Sequence, residues 1–458
     1  MGVSTAEVVI CGAGIAGIAA AYHLAVRRGM ANVVIVDERP PLSLTSDKST
    51  ESYRNWWPGP GDDMVALMNR SIDLLEELAR ESGNVFRMNR RGYLFATADP
   101  ARVPDFVRAA REAAGRGAGV ARLHATPGAE YRPAPAEGFE GEPVGADVVT
   151  DAGTIRRHFP YLAEDTVALL HARRCGWFSG QQLGMYLLER AREKGARLIE
   201  GRVESVETAG GRVRGVRLAS AGGSVGIATP RFVVAAGPFL REVGRLVGVE
   251  LPVFCERHAK VAFTDSLGAV PRHAPMLIWT DPVRLPWSAE EREVLGEAPD
   301  IRRLLEELPP GVHGRPEGPA DSPIVLGIWT YDIEPLEPQF PIEFDPAYAE
   351  IVIRGLSRML PAMAGYADRL PRTFVDGGYY TKTEENRFLA CPLALDGAYV
   401  LGGLSGYGLM ASNGAADLLA DYIVGRPLPP YAKAFHLDRY QDPAYRALLP
   451  SWGDSGQL

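Results

Sequence analysis

Three glycines and one acidic residue near the start of the chain have the spacing of a phosphate-binding turn. The segment 11–17 (CGAGIAG) follows an apolar run and is answered by the apolar segment 33–36 and Asp37. The first glycine permits a tight turn, the second lets backbone approach a pyrophosphate, and the third lets a helix close on a strand. The helix start at Ile15 would aim its N–H groups at phosphates, and Asp37, twenty residues past Gly17, stands where a carboxylate accepts ribose hydroxyls. The spacing predicts a strand–helix–strand unit that binds an adenine dinucleotide.

Composition restricts the partners of such a site. The 458 residues carry a formal net charge of −8, which argues against a nucleic-acid or anionic-membrane partner. Four scattered cysteines without a CxxC pair fit a reducing compartment, and no His, Cys, Asp or Glu cluster has the spacing of a metal site. Without a recognisable signal peptide or an apolar stretch long enough to span a membrane, we expect a cytoplasmic protein.

Hydrophobic periodicity places these residues on secondary-structure elements. Helices are predicted at 64–82, 182–194 and 413–424, and a capping box at Ser288 predicts a charged helical region. Residues 126–148 have the composition of a loop. Strands or β-rich segments are predicted at 93–97, 197–200, 202–206, 211–218, 231–237, 251–265, 323–332 and 397–403.

The order of these elements predicts an α/β protein with a discontinuous architecture. A Rossmann-like dinucleotide-binding domain is expected from 1–82, 151–245 and 376–428. It is interleaved with an antiparallel-sheet substrate domain. That second domain is expected from 83–150 and 246–375, with a helical insertion at 281–321 and a C-terminal tail at 429–458.

Three separated motifs resemble the D-amino-acid-oxidase-like superfamily of FAD-dependent oxidoreductases. They are the N-terminal CGAGIAG with VDE, the central VVAAGPF, and the C-terminal YYTKT with GGLSGYGLMASNGAADLL. The similarity is greatest to the branch that holds sarcosine oxidase, dimethylglycine dehydrogenase and the proline dehydrogenase catalytic subunit. It implies a glutathione-reductase-type FAD domain and FAD as cofactor. The cofactor-binding residues expected from the motif and the resemblance are Gly12, Ala13, Gly14, Ile15, Ala16, Gly17, Asp37, Glu38, Arg39, Ser49, Thr50, Val203, Ala236, Gly237, Gly406, Tyr407, Gly408, Leu409 and Met410.

The resemblance also implies a substrate site. Arg54 matches the arginine of a Thr-x-x-x-Arg segment that pairs with the substrate carboxylate, and arginine suits this role because its planar fork binds carboxylates bidentately. Tyr380 matches the flavin-facing strand, and Trp329 falls where the family places a side chain over the substrate. Met410 stands where sarcosine oxidase has a lysine, which leaves room for a bulkier apolar substrate. Trp56 and Trp57 are either aromatic walls or core residues.

Further departures from the family pattern concern the cofactor and oxygen. Gly378 stands where family oxidases attach the flavin to a cysteine, and no histidine lies at 46–50, so the FAD is expected to be non-covalent. Val325 replaces a lysine that assists oxygen reduction, which favours a dehydrogenase. Lys260 is an alternative cation, although a solvated lysine is the simpler interpretation, and His258 is interpreted as structural.

The implied activity is oxidation of the C–N bond of an amino acid, including N-methyl and cyclic secondary ones. A hydride would pass to flavin N5, and the resulting imine would hydrolyse. The alternatives are an oxidase that releases H2O2 and a flavin subunit of a larger electron-transfer complex. The electron acceptor and the choice between homodimer and complex subunit stay open.

Overall fold

The computed structural model describes residues 4–128, 130–299 and 301–452. These residues form a six-stranded sheet, a nine-stranded sheet, a four-stranded sheet and two short two-stranded pairings. The helices are α1 (Ile15–Tyr22), α2 (Asp63–Ser82), α3 (Val103–Gly115), α4 (Ala152–His158), α5 (Gly180–Glu193), α6 (Leu240–Arg245), α7 (Ala289–Glu297), α8 (Tyr348–Ser357), α9 (Gly408–Val424) and α10 (Pro443–Trp452). The strands are β1 (Ser4–Thr5), β2 (Val8–Cys11), β3 (Val33–Asp37), β4 (Ser52–Arg54), β5 (Tyr93–Thr97), β6 (Ala121–His124), β7 (Ala146–Val149), β8 (Ala168–Ala172), β9 (Cys175–Trp177), β10 (Arg197–Glu200), β11 (Arg202–Ala209), β12 (Arg212–Ser220), β13 (Gly223–Ala228), β14 (Phe232–Val234), β15 (Phe254–Thr264), β16 (Met276–Trp279), β17 (Val283–Arg284), β18 (Glu307–Leu308), β19 (His313–Pro316), β20 (Ile324–Ile328), β21 (Thr373–Lys382), β22 (Leu389–Pro392) and β23 (Ala398–Gly402).

The six-stranded sheet runs in the order β10-β3-β2-β14-β23-β22 and is parallel except for the last pair. The apolar runs of β2 and β14 are buried throughout, as expected for strands covered on both faces. Parallel pairing brings the carboxyl ends of β2, β3, β14 and β23 to one edge, where ligands of such sheets bind.

Two glycines, one in the turn after β2 and one in the first turn of α1, are required by the packing. Gly12 has φ +117°, and a Cβ atom there would lie 2.3 Å from the carbonyl oxygen of Ala235. A Cβ atom on Gly17 would lie 1.9 Å from the carbonyl oxygen of Gly12. Neither position therefore accepts a side chain, in agreement with the tight turn and the close helix–strand approach predicted for them.

The nine-stranded sheet runs in the order β21-β15-β20-β19-β16-β5-β8-β7-β6. Glu256 pairs with Tyr380 between β15 and β21, and His313 pairs with Ile328 between β19 and β20. Side chains alternate across a strand, so the registers place Tyr380, His258, Ile328 and His313 on one face of this sheet.

Three sheet memberships differ from the domain boundaries expected from the sequence. β8 lies in the nine-stranded sheet although it follows residue 151, and β21 crosses the expected boundary at 376. The expected helical insertion 281–321 contains β19, which is an internal strand of that sheet. Each of these strands is placed by long-range pairing, which local sequence patterns do not report.

Most predicted elements are present with shifted ends. α9 begins at Gly408 rather than at 413, and β7 begins at Ala146 within the predicted loop. The capping box at Ser288 is confirmed, because its Oγ accepts from the N–H of Glu291 and the Glu291 carboxylate accepts from the N–H of Ser288. In the described part of the chain, no helix combines the length and apolar character needed to cross a bilayer.

Candidate active site

A cavity of about 700 Å³ lies at the carboxyl ends of β2, β3, β14 and β23 and extends to β21 of the other sheet. Fifteen of the predicted site residues line it: Gly12, Gly14, Ile15, Ala16, Asp37, Glu38, Arg39, Ser49, Val203, Ala236, Gly237, Tyr380, Gly406, Gly408 and Leu409. Ala13 and Gly17 are buried in the turn and in the first helix, behind this lining.

The carboxylate of Asp37 is fixed at the wall of this cavity. One oxygen accepts from the N–H of Ala13 at 2.7 Å, and the other accepts from the N–H of Arg39 at 2.9 Å. The Oγ of Ser46 accepts from the N–H of Ile15 at 2.9 Å, so the chain itself uses one of the donors at the start of α1. The glycine turn, the start of α1 and an acid at the end of β3 converge here, and these features fit the pyrophosphate and ribose of a dinucleotide such as FAD.

A second cavity of about 60 Å³ adjoins the first. Ser49, Tyr380, Ser405 and Gly406 line both cavities, so the two spaces share a wall. The second cavity brings together the predicted residues Arg54, Met410, Thr50 and Tyr407. The remaining residues that line it are Ser52, Tyr93, His258, His313, Ile328 and Thr330.

Arg54 supplies a buried cation to the small cavity. It ends β4 and is only 4% exposed. Its guanidinium carbon lies 4.6 Å from the centre of the Trp57 ring, a cation–π contact that supports the head group. Burial lowers the pKa of Arg54, while Tyr93 and Cys175 act in the opposite direction. Since desolvation penalises a buried guanidinium, a carboxylate bound at this position would be favoured.

Tyr380 stands at the junction of the two cavities and belongs to a packed polar group. Its ring stacks on His258 with centroids 3.9 Å apart, and His258 Nε2 lies 3.2 Å from the Glu256 carboxylate. Burial lowers the pKa of His258. Burial alone would raise the pKa of Glu256, but the hydrogen bond from His258 and the Lys382 ammonium at 3.3 Å bring it below the ordinary value. The group fixes Tyr380 against Gly406, where a Cβ would lie 2.5 Å from the tyrosine ring.

The expectation for Trp329 is wrong in this structure. Trp329 does not line either cavity; its Nε1–H donates to the carbonyl of Pro309 at 3.0 Å, and its ring packs against Gly355. Alternation along the strand places Ile328 and Thr330 toward the cavity and the intervening tryptophan away from it. Trp57 supports Arg54 from behind, and Trp56 packs on Phe95.

Val325 also lies away from both cavities, so its identity does not bear on oxygen reduction as the sequence suggested. Val325 is fully buried in the core on the other side of the nine-stranded sheet, so a lysine at this position would not reach the cavities. Lys260 is not a solvated lysine, because it is half-buried and its ammonium donates to the carbonyl oxygens of Asp47 and Ser49. Burial lowers the pKa of Lys260.

Sequence reasoning missed part of the small cavity. His313 and Tyr93 were not considered as site residues, and His258 was interpreted as structural. His313 lies in GVHGRP, where glycine and proline hide the strand, so no local signal marks it. For His258, the alternation that places it on one face of a strand with Glu256 and Lys260 was a usable signal, but the pairing of this strand with Tyr380 is visible only in the structure.

The fold and the paired cavities fit an FAD-dependent oxidoreductase, and the comparison with protein families identifies the chain as one. Residues 7–422 match the family described as FAD dependent oxidoreductase (DAO), and the chain belongs to that family. The resemblance drawn from the three motifs and the predicted fold class are thereby confirmed.

Among curated proteins, the chain is similar to the mitochondrial dimethylglycine dehydrogenases of Homo sapiens and Rattus norvegicus, with 28% and 27% identity over 286 residues. Each match covers 59% of this chain and 28% of the relative's length. Among solved structures, L-proline dehydrogenase from P. horikoshii superposes with a TM-score of 0.72 at 19% identity, covering 96% of this chain and 98% of that one. Glycine oxidase from Geobacillus kaustophilus gives 0.70 at 18% identity, covering 95% and 98%. These structural matches support the fold.

Proposed function

We propose that this chain oxidises the C–N bond of a small α-amino acid, primary or N-alkylated, with FAD bound non-covalently in the larger cavity. One observation carries the proposal: the buried cation of Arg54 lies in a small cavity that shares Tyr380 and Gly406 with the dinucleotide cavity. The small cavity measures about 60 Å³, which favours a compact substrate over the bulkier one that Met410 suggests from the sequence.

Different residues of the small cavity would bind the carboxylate and surround the amine of the substrate. Arg54 would hold the substrate carboxylate, which fixes the position of the α-carbon relative to the larger cavity. Ile328, Met410 and Tyr407 give the cavity an apolar side, and an apolar environment with a nearby cation favours the neutral amine over the ammonium. When bound, FAD supplies the two-electron acceptor for the α-hydride, and the substrate leaves as an imine that water hydrolyses.

The residues of the larger cavity would bind FAD through backbone N–H groups and through the carboxylates of two acidic residues. The turn at Gly12 and Gly14 and the start of α1 would receive the pyrophosphate, and Asp37 and Glu38 would face the adenosine ribose. Gly378 supports non-covalent binding, because a Cβ there would lie 3.1 Å from Thr45 Cα and 3.2 Å from Lys48 Cβ. A cysteine side chain at this position would require Thr45 or Lys48 to shift by a few tenths of an ångström.

We favour a dehydrogenase that passes electrons to an acceptor other than O2. Ile328, the last residue of β20, and Thr330, two residues further on, line the small cavity and are uncharged, and the Lys260 ammonium is engaged by backbone carbonyls. A specific observation supports the alternative of an H2O2-producing oxidase. Lys260 Nζ lies 3.5 Å from the carbonyl of Ser49, a residue that lines both cavities, and a cation at this place could stabilise reduced oxygen.

The test is anaerobic mixing of the holoprotein with primary, N-methyl and cyclic amino acids while the flavin absorbance is followed. We expect bleaching by small amino acids and slow recovery when air is admitted. Rapid recovery with peroxide that slows in the Lys260→Met variant would establish the oxidase. Turnover by the isolated chain with an artificial acceptor would argue against a role as a subunit that functions only in a larger complex.

A further inference from the structure

His313 gives the small cavity a hydrogen-bond acceptor, whereas Arg54 gives it hydrogen-bond donors. It is the first residue of β19, is 3% exposed, and lines the cavity together with Arg54. The two side chains are close enough for the Arg54 charge to act on the imidazole. A cationic donor and an imidazole therefore face one space that suits a few non-hydrogen atoms.

The tautomer of His313 follows from its main-chain contact. Nδ1 lies 2.8 Å from the carbonyl oxygen of Gly311, and because a carbonyl only accepts, the proton resides on Nδ1. Burial, helped by the Arg54 charge, lowers the pKa of His313 to about 4, so the ring is neutral at physiological pH. Nε2, at the distal edge of the ring, then carries a lone pair.

We infer that His313 Nε2 accepts a hydrogen bond from the substrate's amine N–H while Arg54 holds the carboxylate. This rests on the proposed function and narrows its substrate class. The reactive amine is neutral, so an N–H is present in primary and secondary amino acids and absent in tertiary ones. The chain should accordingly act on glycine-type, N-monomethyl or cyclic secondary amino acids in preference to N,N-dimethylglycine.

Three other polar side chains that line the cavity, those of Thr50, Ser52 and His258, have partners within the protein. The hydroxyls of Thr50 and Ser52 lie 2.9 Å apart and hydrogen-bond to each other. His258 Nε2 engages the Glu256 carboxylate. His313 differs from these three in that its fixed tautomer presents an acceptor in the cavity that Arg54 lines.

A pair of unreactive carboxylates of nearly equal size tests the acceptor directly. Glycolate carries an O–H donor on its α-carbon, and fluoroacetate has fluorine in its place. Binding to the oxidised holoprotein is measured by calorimetry and by the change in flavin absorbance. We expect glycolate to bind about tenfold more tightly than fluoroacetate, the ratio that one hydrogen bond provides.

Three variants test whether His313 causes the preference for glycolate over fluoroacetate. His313→Phe should remove the preference, and His313→Gln, which keeps an acceptor oxygen, should restore part of it. His273→Phe makes the same change at an exposed histidine and should leave the preference intact. If His313→Phe does not fold, the wild-type ratio and His313→Gln still decide the question.

Substrate reduction gives the second readout. N-methylglycine should reduce the flavin at least tenfold faster than N,N-dimethylglycine at saturating concentrations, and His313→Phe should bring the two rates together. Equal affinities of the wild type for glycolate and fluoroacetate, or a preference that survives in His313→Phe, would overturn the role of His313 while leaving Arg54 in place. If neither carboxylate binds and no amino acid bleaches the flavin, the proposed function fails, and this inference fails with it.

Discussion

At the scale of single residues, the site depends on charged groups that the fold has removed from water. Arg54 is the clearest case, since its guanidinium stacks on Trp57 and lines the small cavity. A buried cation is costly unless an anion or oriented dipoles compensate it. A carboxylate substrate in the same cavity would give this guanidinium a bidentate anionic partner, so the position of the arginine favours an amino-acid substrate.

Replacing Arg54 by glutamine should raise the substrate concentration needed for half-maximal flavin reduction by roughly 10- to 100-fold, because a charged hydrogen bond contributes about 1.5–3 kcal/mol. Arg54→Lys should recover little of this, since the ammonium lacks the planar fork. Stopped-flow reduction measures the change, and Arg212→Gln at an exposed ion pair is the matched control. Unchanged saturation in Arg54→Gln would place the carboxylate elsewhere.

Glu51, in the loop that leads to β4, should make stability depend on pH. Its carboxylate accepts from the N–H of Gly180 at 3.2 Å and lies 3.8 Å from Arg315 Nη2. Burial nevertheless raises its pKa from 4.5 to about 7. A raised folded-state pKa means that the protonated acid is favoured in the folded protein. The stability contribution is therefore complete below the unfolded pKa and is lost as pH rises toward 7.

The Glu51→Gln variant removes the titrating carboxyl and so isolates its contribution to the pH dependence of stability. Relative to the variant, the wild type should lose up to about 3 kcal/mol of unfolding free energy between pH 4.5 and pH 7.5, which corresponds to the change in pKa. Urea unfolding at several pH values measures the difference. Parallel curves for the two proteins would show that Arg315 keeps Glu51 ionised throughout.

At the scale of elements, the turn between β2 and α1 is the most demanding part of the fold. Gly12 combines φ +117° with a Cβ position 2.3 Å from the Ala235 carbonyl oxygen. The sequence predicted this turn because its requirements are local: an apolar strand, three spaced glycines and a helix start. Arg54 and Tyr380 were predicted instead from the family resemblance, through the segments 50–54 and 379–383, and both line the small cavity.

The rest of the site depends on long-range pairing and could not be predicted. Leu326, Gly327, Ile328 and Trp329 are apolar or small on both faces, so the sequence does not reveal which face meets the cavity. The roles of Val325 and Trp329 were taken from the family resemblance, and the residue pattern here could not show that both side chains lie on the opposite face. His313 becomes a site residue only because β19 is inserted between β20 and β16.

Substituting Gly12 by alanine tests whether the turn after β2 is needed for FAD binding. Gly12→Ala should weaken FAD binding by more than about 100-fold, because the added Cβ displaces β14 or the turn itself. Gly223→Ala is the matched control: its φ is +100° and its Cβ position meets nothing within 4 Å. It should cost about 1 kcal/mol of stability and leave FAD bound. Flavin content after gel filtration distinguishes the two variants. Retention of FAD by Gly12→Ala would contradict the proposed role of this turn in FAD binding.

At the scale of the whole molecule, the larger cavity joins two sheets with separate hydrophobic cores. Its wall takes backbone from the six-stranded sheet and Tyr380 with its neighbours from the nine-stranded sheet. A ligand that contacts both sheets stabilises their mutual arrangement as well as each sheet. The cofactor should therefore contribute to the stability of the entire chain.

Removal of FAD should lower the thermal midpoint, and adding it back should restore it in a concentration-dependent manner. A ligand at 100 times its Kd stabilises the folded state by about 2.7 kcal/mol, which for a chain of this length corresponds to a shift of about 3 °C. Scanning calorimetry of apoprotein with increasing FAD measures this. If the cavity couples the two sheets, a single transition should move as a whole in the wild type and stay fixed in Gly12→Ala. Two transitions, of which only one responds to FAD, would show instead that the sheets unfold independently and that the cofactor is held by one of them.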